Sequence, residues 1–352
     1  MKKKIILAAA MMLVAASSAQ ARDQIKIVGS STVYPFSSYT AEALGSTTKF
    51  KTPVVESTGS GGGMKLFCAG NGMDTPDITN ASRRMKAKEY KKCQKNGVKN
   101  ITEMVVGYDG IAIAQSKSAA ALDLTRKQLM LAVAAEVPAK DGKSLIANPY
   151  HFWNEIDAKL PHRKITIYGP PTSSGTRDAF EDMILKHITK HIDAYTRLYK
   201  ADKVKNKKYK KFHEIRQDGV YVPSGENDNL IVQKLTKDTA ALGIFGYSYL
   251  AENSDKIGAA TIEGVAPAPE TVQNGTYKLS RSLYFYIKQS HIGKVPGMLE
   301  FANLFMSEQM IGDEGECADI GLIPLPKSMR DHYRANLKTL TRLKADDLKK
   351  KH

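Results

Sequence analysis

The chain has 352 residues, of which 52 are Lys or Arg, 36 are Asp or Glu and only three are Cys. A length of this order exceeds what one hydrophobic core usually encloses, so two lobes are expected. No CxxC pair or Cys/His cluster occurs, which argues against a structural zinc. Beyond the first 21 residues no stretch approaches the roughly 20 apolar residues of a membrane span.

Residues 1–21 begin with Lys2, Lys3 and Lys4, continue through an apolar run over 5–16 and end in Ala19-Gln20-Ala21. This is the pattern of a secretory signal peptide cleaved after Ala21. No cysteine stands directly after that point, so a lipid anchor is not expected, and the mature chain from Arg22 reads as a soluble, exported protein. Three of the 52 basic residues lie in the leader, leaving 49 against 36 acidic ones, an excess of +13. Much of that excess sits in a basic run over 200–211, read as an exposed insertion, and in the tail Lys349-Lys350-Lys351. Such runs are usually solvated faces, with anion steering or contact with a negative membrane surface as the other uses. Nucleic acid is a poor fit, because no stacking motif or recognisable binding module is present.

Short apolar runs at 25–28, 53–55, 77–79, 101–106, 111–114, 165–168, 241–245 and 283–287 alternate with helical patterns. That alternation predicts an α/β fold with largely parallel sheets. The first run leads into Gly29-Ser30-Ser31-Thr32-Val33, where three consecutive hydroxyls exceed what a helix N-cap needs. The second leads into Ser57-Thr58-Gly59-Ser60-Gly61-Gly62-Gly63 and a helix expected from about Met64. A strand, then glycines and hydroxyls, then a helix start presents free N–H groups and a positive dipole end to an anion. An isolated glycine-rich turn more often serves only the backbone.

The third run is followed by Ala81-Ser82-Arg83-Arg84, whose guanidinium forks suit oxyanions, although paired surface arginines are commonly just solvated. Cys68 and Cys93 flank one compact region. A bridge between them would leave Cys317 free, and sequence alone does not fix the pairing. The strongest signal is Gly169-Pro170-Pro171-Thr172-Ser173-Ser174-Gly175-Thr176-Arg177, where a hydroxyl-rich turn opens a helix carrying Phe180, Met183 and Ile184. Helix starts bearing Ser, Gly and Thr, one in each half, are what a cleft holding a dehydrated oxyanion between two lobes requires. There is no GxxxxGK[ST], and no GxGxxG with a suitably spaced acid, so a nucleotide loop is not supported. His187 and His191 fall in HITKH rather than HExxH, Trp153 reads as a packing residue, and the Gly225 to Asn229 stretch reads as a helix cap in which Glu226 could also orient an arginine.

The loops GSSTVYPF, STGSGGG, DITNASRRM, VVGYDGIAIA, KITIYGPPTSSGTRDAF and GENDNLIVQKL, with the closing GLIPLP, resemble the periplasmic phosphate-binding proteins that serve the high-affinity phosphate ABC importer. The resemblance runs in order over nearly the whole mature chain. It implies a two-lobed type II periplasmic-binding fold, crossings near 106–110 and 278–283, and phosphate held in the cleft between the lobes. One lobe would then be 22–107 with 283–352, and the other 108–282. It also implies ABC permease subunits as partners, a monomer, no cofactor and no catalysis. Carried over by position, it places Ser31, Thr32 and the backbone of Val33 in the first loop, Ser60 in the second, and Ser174, Gly175 and Thr176 in the third. Where the enteric form of the pattern has an aspartate after Ala-Ser and an arginine before the SGT loop, this chain has Arg83 and Pro170.

Phosphate differs from sulfate in keeping a proton, so selection for it needs an acceptor; a site of donors alone would take either anion. The expectation is therefore an exchange of charges, with Arg83 as the cation, Asp109 on the crossing segment as the acceptor and Arg177 as a second cation. Asp109 read as a turn carboxylate, and Arg177 as a helix-surface residue, are the plainer alternatives. Another oxyanion (sulfate, molybdate or a phosphonate) is the alternative ligand. An exported phosphate-ester hydrolase is disfavoured for want of a nucleophile beside a base or a metal cluster.

Overall fold

The computed structural model describes residues 22–30, 32–172, 174–198, 214–225 and 228–349. The leader over 1–21, Ser31, Glu226 and the basic run at 200–211 lie outside the described residues. In chain order the strands are β1 (Lys26–Gly29), β2 (Val54–Ser57), β3 (Ile78–Ala81), β4 (Ile101–Ser116), β5 (Asp123–Leu124), β6 (Glu136–Pro138) and β7 (Leu145–Ala147). They continue as β8 (Ile167–Gly169), β9 (Tyr221–Pro223), β10 (Leu242–Gly246), β11 (Ile257–Ala259), β12 (Thr261–Ile262) and β13 (Ser280–Lys288). The main sheet runs β2-β1-β3-β13-β4-β10-β8-β9, with β11 also paired to β4.

The two ends of this sheet are parallel, β1 with β2 and β3, and β8 with β9 and β10. Its centre is antiparallel, because β13 and β10 both run against β4. The expected parallel pairing thus holds within each half and gives way at the junction, where one long strand carries the chain out of the first half and another brings it back. The runs at 101–106 and 111–114 are one continuous strand. Gly107, Tyr108, Asp109 and Gly110 break the apolar pattern but not the extended backbone.

Gly107 is needed where it stands: a Cβ there would lie 2.6 Å from Leu322 Cδ1 and 2.8 Å from the Ile323 carbonyl oxygen. That close approach lets Tyr108 and Ile323 exchange backbone hydrogen bonds of 2.8 and 3.0 Å, so the closing segment is laced to the crossing strand.

Burial divides along the same line. One core draws on 25–106 and on 283–343, including Phe285, Phe301 and Phe305 in ring contact. The other draws on 111–279 with Ile323, and encloses Trp153, Phe180 and Tyr277. Strand β4 serves two faces by its period of two: Ile111 and Ile113 enter this second core, while Ala112 and Ala114 pack with Ile231, Leu235 and Phe245 on the opposite face. Cys68 and Cys93 form a disulfide with Cα atoms 4.2 Å apart, and Cys317 is a buried free thiol in the same core, which pushes its pKa up to about 12. No helix among the described residues is long and apolar enough to cross a membrane.

Candidate functional site

The junction of the two halves holds a cavity of about 620 Å³ lined by Thr32, Ser57, Asp109, Ser174, Gly175 and Thr176, with Tyr34, Asp228, Ser248, Tyr249 and Asp319 at its sides. Each residue arrives there by a local rule. Thr32 precedes helix α1 (Tyr34–Thr47), whose first turn contains Pro35, a residue that has no N–H to leave unpaired there. The N–H groups of Thr32 and Val33 point back to Ser30 Oγ at 3.2 and 3.4 Å. Ser174 caps the helix over Gly175–Phe180 by accepting from Thr176 N–H at 3.2 Å.

The two hydroxyl-bearing loops meet across the cavity, where Thr32 Oγ1 donates to the Gly175 carbonyl at 3.2 Å. Behind them stands a residue that the sequence reading did not single out. Arg281 on β13 is in direct register with Asp109 on β4. Its Nη2 donates to Thr32 Oγ1 at 2.8 Å, and its Nε to Asp109 Oδ2 at 3.4 Å. Both side chains of this pair are 12% exposed. Burial raises the Asp109 carboxyl above its ordinary range, with Arg281 opposing the rise.

The other expected cations are turned elsewhere. Arg83 gives both branches of its guanidinium to Glu89, at 2.7 and 2.9 Å, and a further bond to the Arg84 carbonyl. Arg177 is buried, donates to Glu181 at 2.8 Å and to the Pro170 carbonyl at 3.3 Å, and stacks 4.6 Å from the Tyr221 ring. Neither lines the cavity. In each case a nearby carboxylate, three residues past Lys86 or one helical turn past Arg177, captures the fork first. Pro170 contributes its carbonyl, held jointly by Arg177 and by the Tyr221 hydroxyl at 2.8 Å.

Helix α2 (Gly59–Phe67) begins at the glycines themselves and not near Met64. Gly63 is there for packing: a Cβ on it would lie 2.5 Å from Gly29 Cα and 2.6 Å from Thr79 Oγ1. Ser60 is occupied by Ser82, accepting from its N–H at 3.0 Å and pairing with its hydroxyl at 3.2 Å, and it too stands off the cavity wall. Among the described residues no group of three or more His, Cys, Asp or Glu could hold a metal ion. Arg281 could have been flagged only as a lone cation two residues before an apolar strand; its partner became visible with the strand register.

A family model described as a PBP superfamily domain matches residues 14–309. Protein SphX of Synechococcus elongatus is 30% identical over 317 residues, covering 88% of this chain and 80% of that protein. The phosphate-binding protein PstS of Staphylococcus saprophyticus is 28% identical over 317 residues, covering 88% and 83%. A solved structure, a possible phosphate binding protein from Planctomyces limnophilus, superposes with a TM-score of 0.70 at 27% identity over 91% of this chain and 99% of that one.

Proposed function

We propose that this chain, which belongs to the PBP superfamily, is the receptor that captures inorganic phosphate outside the inner membrane and hands it to an ABC importer. It is a binding protein and not an enzyme. The observation that carries the reading is the convergence of Thr32, Asp109, Ser174, Gly175 and Thr176 from both halves of the chain on one cavity, with Arg281 bonded to two of its walls. Hydroxyls and helix-start N–H groups donate to the ligand's oxygens, and Asp109 accepts the proton that phosphate retains.

The signal-like leader supports export to the periplasm. Lobes of 22–107 with 283–352, and of 108–282, would close on the ligand by bending at the two crossing strands. Docking of both lobes on the permease suits a monomer.

Calorimetric titration of refolded, ligand-free protein with phosphate and then with sulfate, at one ionic strength, tests this. Tight one-to-one phosphate binding without sulfate competition is expected; equal binding of both anions, or of neither, refutes it. In Asp109→Asn the acceptor becomes an amide, phosphate affinity should fall by about 1–3 kcal/mol, and sulfate should enter. Unchanged selectivity would remove Asp109 from the site.

A second reading is favoured by the cavity's volume of about 620 Å³, which is of the size that holds organic ligands rather than a bare tetrahedral ion. An oxyanion with an organic substituent, such as an alkyl phosphonate, would then compete with phosphate at comparable concentration, and the same titration detects it.

A further inference from the structure

We infer that Arg281, standing behind the cavity on the second crossing strand and bonded to both Asp109 and Thr32, decides through that pairing which tetrahedral anion the cleft accepts. The inference rests on the phosphate reading and adds to it a control over selectivity that is lost or gained with pH.

The geometry is specific. Asp109 and Arg281 face each other across the β4–β13 ladder, and among the described residues Arg281 is the one hydrogen-bond partner of Asp109. The bond uses Oδ2 and not Oδ1, and Asp109 lines the cavity. A second branch of the same guanidinium fixes the Thr32 hydroxyl, so one rigid fork sets both an acceptor and a donor of the site.

The chemistry follows from what each anion carries. An ionised carboxylate accepts the P–OH proton of phosphate, whereas against sulfate it places two negative oxygens together with no proton between them. A protonated carboxyl reverses this, since it then donates to either anion. Selectivity therefore tracks the charge on Asp109. Burial works against that charge and Arg281 supports it. The other charged groups near the pair are acidic: Asp178 on the neighbouring helix, within electrostatic reach of Arg281, and Asp228, Glu252 and Asp319 around the cavity. None of them can replace the arginine as a counter-charge.

An opposite charge within about 4–6 Å lowers a carboxyl pKa by about 1–3 units, so its removal should raise the Asp109 midpoint by that amount. Two measurements on full-length mature protein decide the matter. The first follows the Asp109 carboxyl carbon by NMR across pH in ligand-free wild type, R281Q and R281K. The second titrates phosphate and sulfate into the same proteins at several pH values.

The midpoint is expected to move up by about 1–3 pH units in R281Q and to return most of the way in R281K. The pH at which the phosphate-to-sulfate affinity ratio collapses should move with it. R281M removes the same charge and serves where R281Q does not fold. Unmoved midpoints in the charge-removing variant overturn the inference, as does an equal loss of both affinities at every pH, which would mean that Arg281 merely positions Thr32. If wild type binds no phosphate the functional reading falls, and the ligand-free NMR titration still decides what Arg281 does to Asp109.

Discussion

At the scale of single residues, Lys288 shows how a buried cation can be held without an ion pair. It is fully buried; its Nζ donates to the Gly70 carbonyl at 2.7 Å and to Thr75 Oγ1 at 2.6 Å, and lies 5.0 Å from the Phe67 ring. Desolvation lowers its pKa from 10.5 to about 8, with Asp77 opposing. Between those two values the unfolded chain binds the proton that the folded chain has lost, so this group makes stability rise with pH across that window. Urea unfolding from pH 7.5 to 10.5 should show that rise in wild type and a flatter profile in Lys288→Met. Parallel profiles would mean that the lysine stays charged in the fold.

Thr32 is the corresponding residue in the cleft, because its one hydroxyl receives from Arg281 and donates to Gly175. Thr32→Val keeps the shape and removes both bonds. Phosphate affinity should fall roughly tenfold, on a net value near 1–1.5 kcal/mol for such hydrogen bonds, as read by calorimetry. An unchanged affinity would show that this hydroxyl stays with its protein partners when ligand binds. Thr32, Ser174, Gly175 and Thr176 were legible in the sequence because a cap and a turn are local chemistry. Arg83 and Arg177 were expected in the cleft, whereas their guanidinium groups are engaged by Glu89, six residues on, and by Glu181, one helical turn on. Arg281 stayed hidden because its role depends on register with a strand far away in sequence.

At the scale of elements, the strands that begin and end on periodic apolar runs were found within two residues, except that β13 begins three residues before its run, and β4 was split because two glycines and a carboxylate masked its continuity. The glycine-rich stretch over 59–63 has a different lesson. Its start was placed late, since glycine lowers helix propensity and only tertiary contact restores the helix. Gly63→Ala forces a Cβ to within 2.5 Å of backbone and should cost about 1–3 kcal/mol, measured as a lower urea midpoint. Gly61→Ala is the control: its nearest foreign atom, Arg83 Nη2, is 3.9 Å away, so the change should be neutral or stabilising by roughly 0.5–1 kcal/mol. Similar gains in both variants would show that helix propensity and not packing governs the segment.

At the scale of the whole molecule, the two cores are joined by β4, β13 and the closing segment that pairs Tyr108 with Ile323. The β4–β13 register shifts between Leu283 and Tyr284, two residues beyond Arg281, which places an irregularity beside the charged pair. Under the proposed closure, bending there would move one core against the other while leaving each intact. Small-angle scattering should therefore show a contraction when phosphate is added to ligand-free protein, and none with sulfate. An unchanged profile at saturating phosphate would refute closure at these strands.

The place of β13 in the sheet also sets the order in which the molecule can be built. It lies between β3 and β4, although it is the last strand in the chain. A polypeptide emerging from its N-terminus carries β1, β2, β3 and β4 with a gap in the middle of their sheet until residues 280–288 appear. The segment over 111–279 encloses a core of its own and can condense first. The facing edges of β3 and β4 must wait, without a partner strand, for the far end of the chain. With export as proposed, such a delay would be a kinetic asset, because the part that leads the way is the part that cannot finish early.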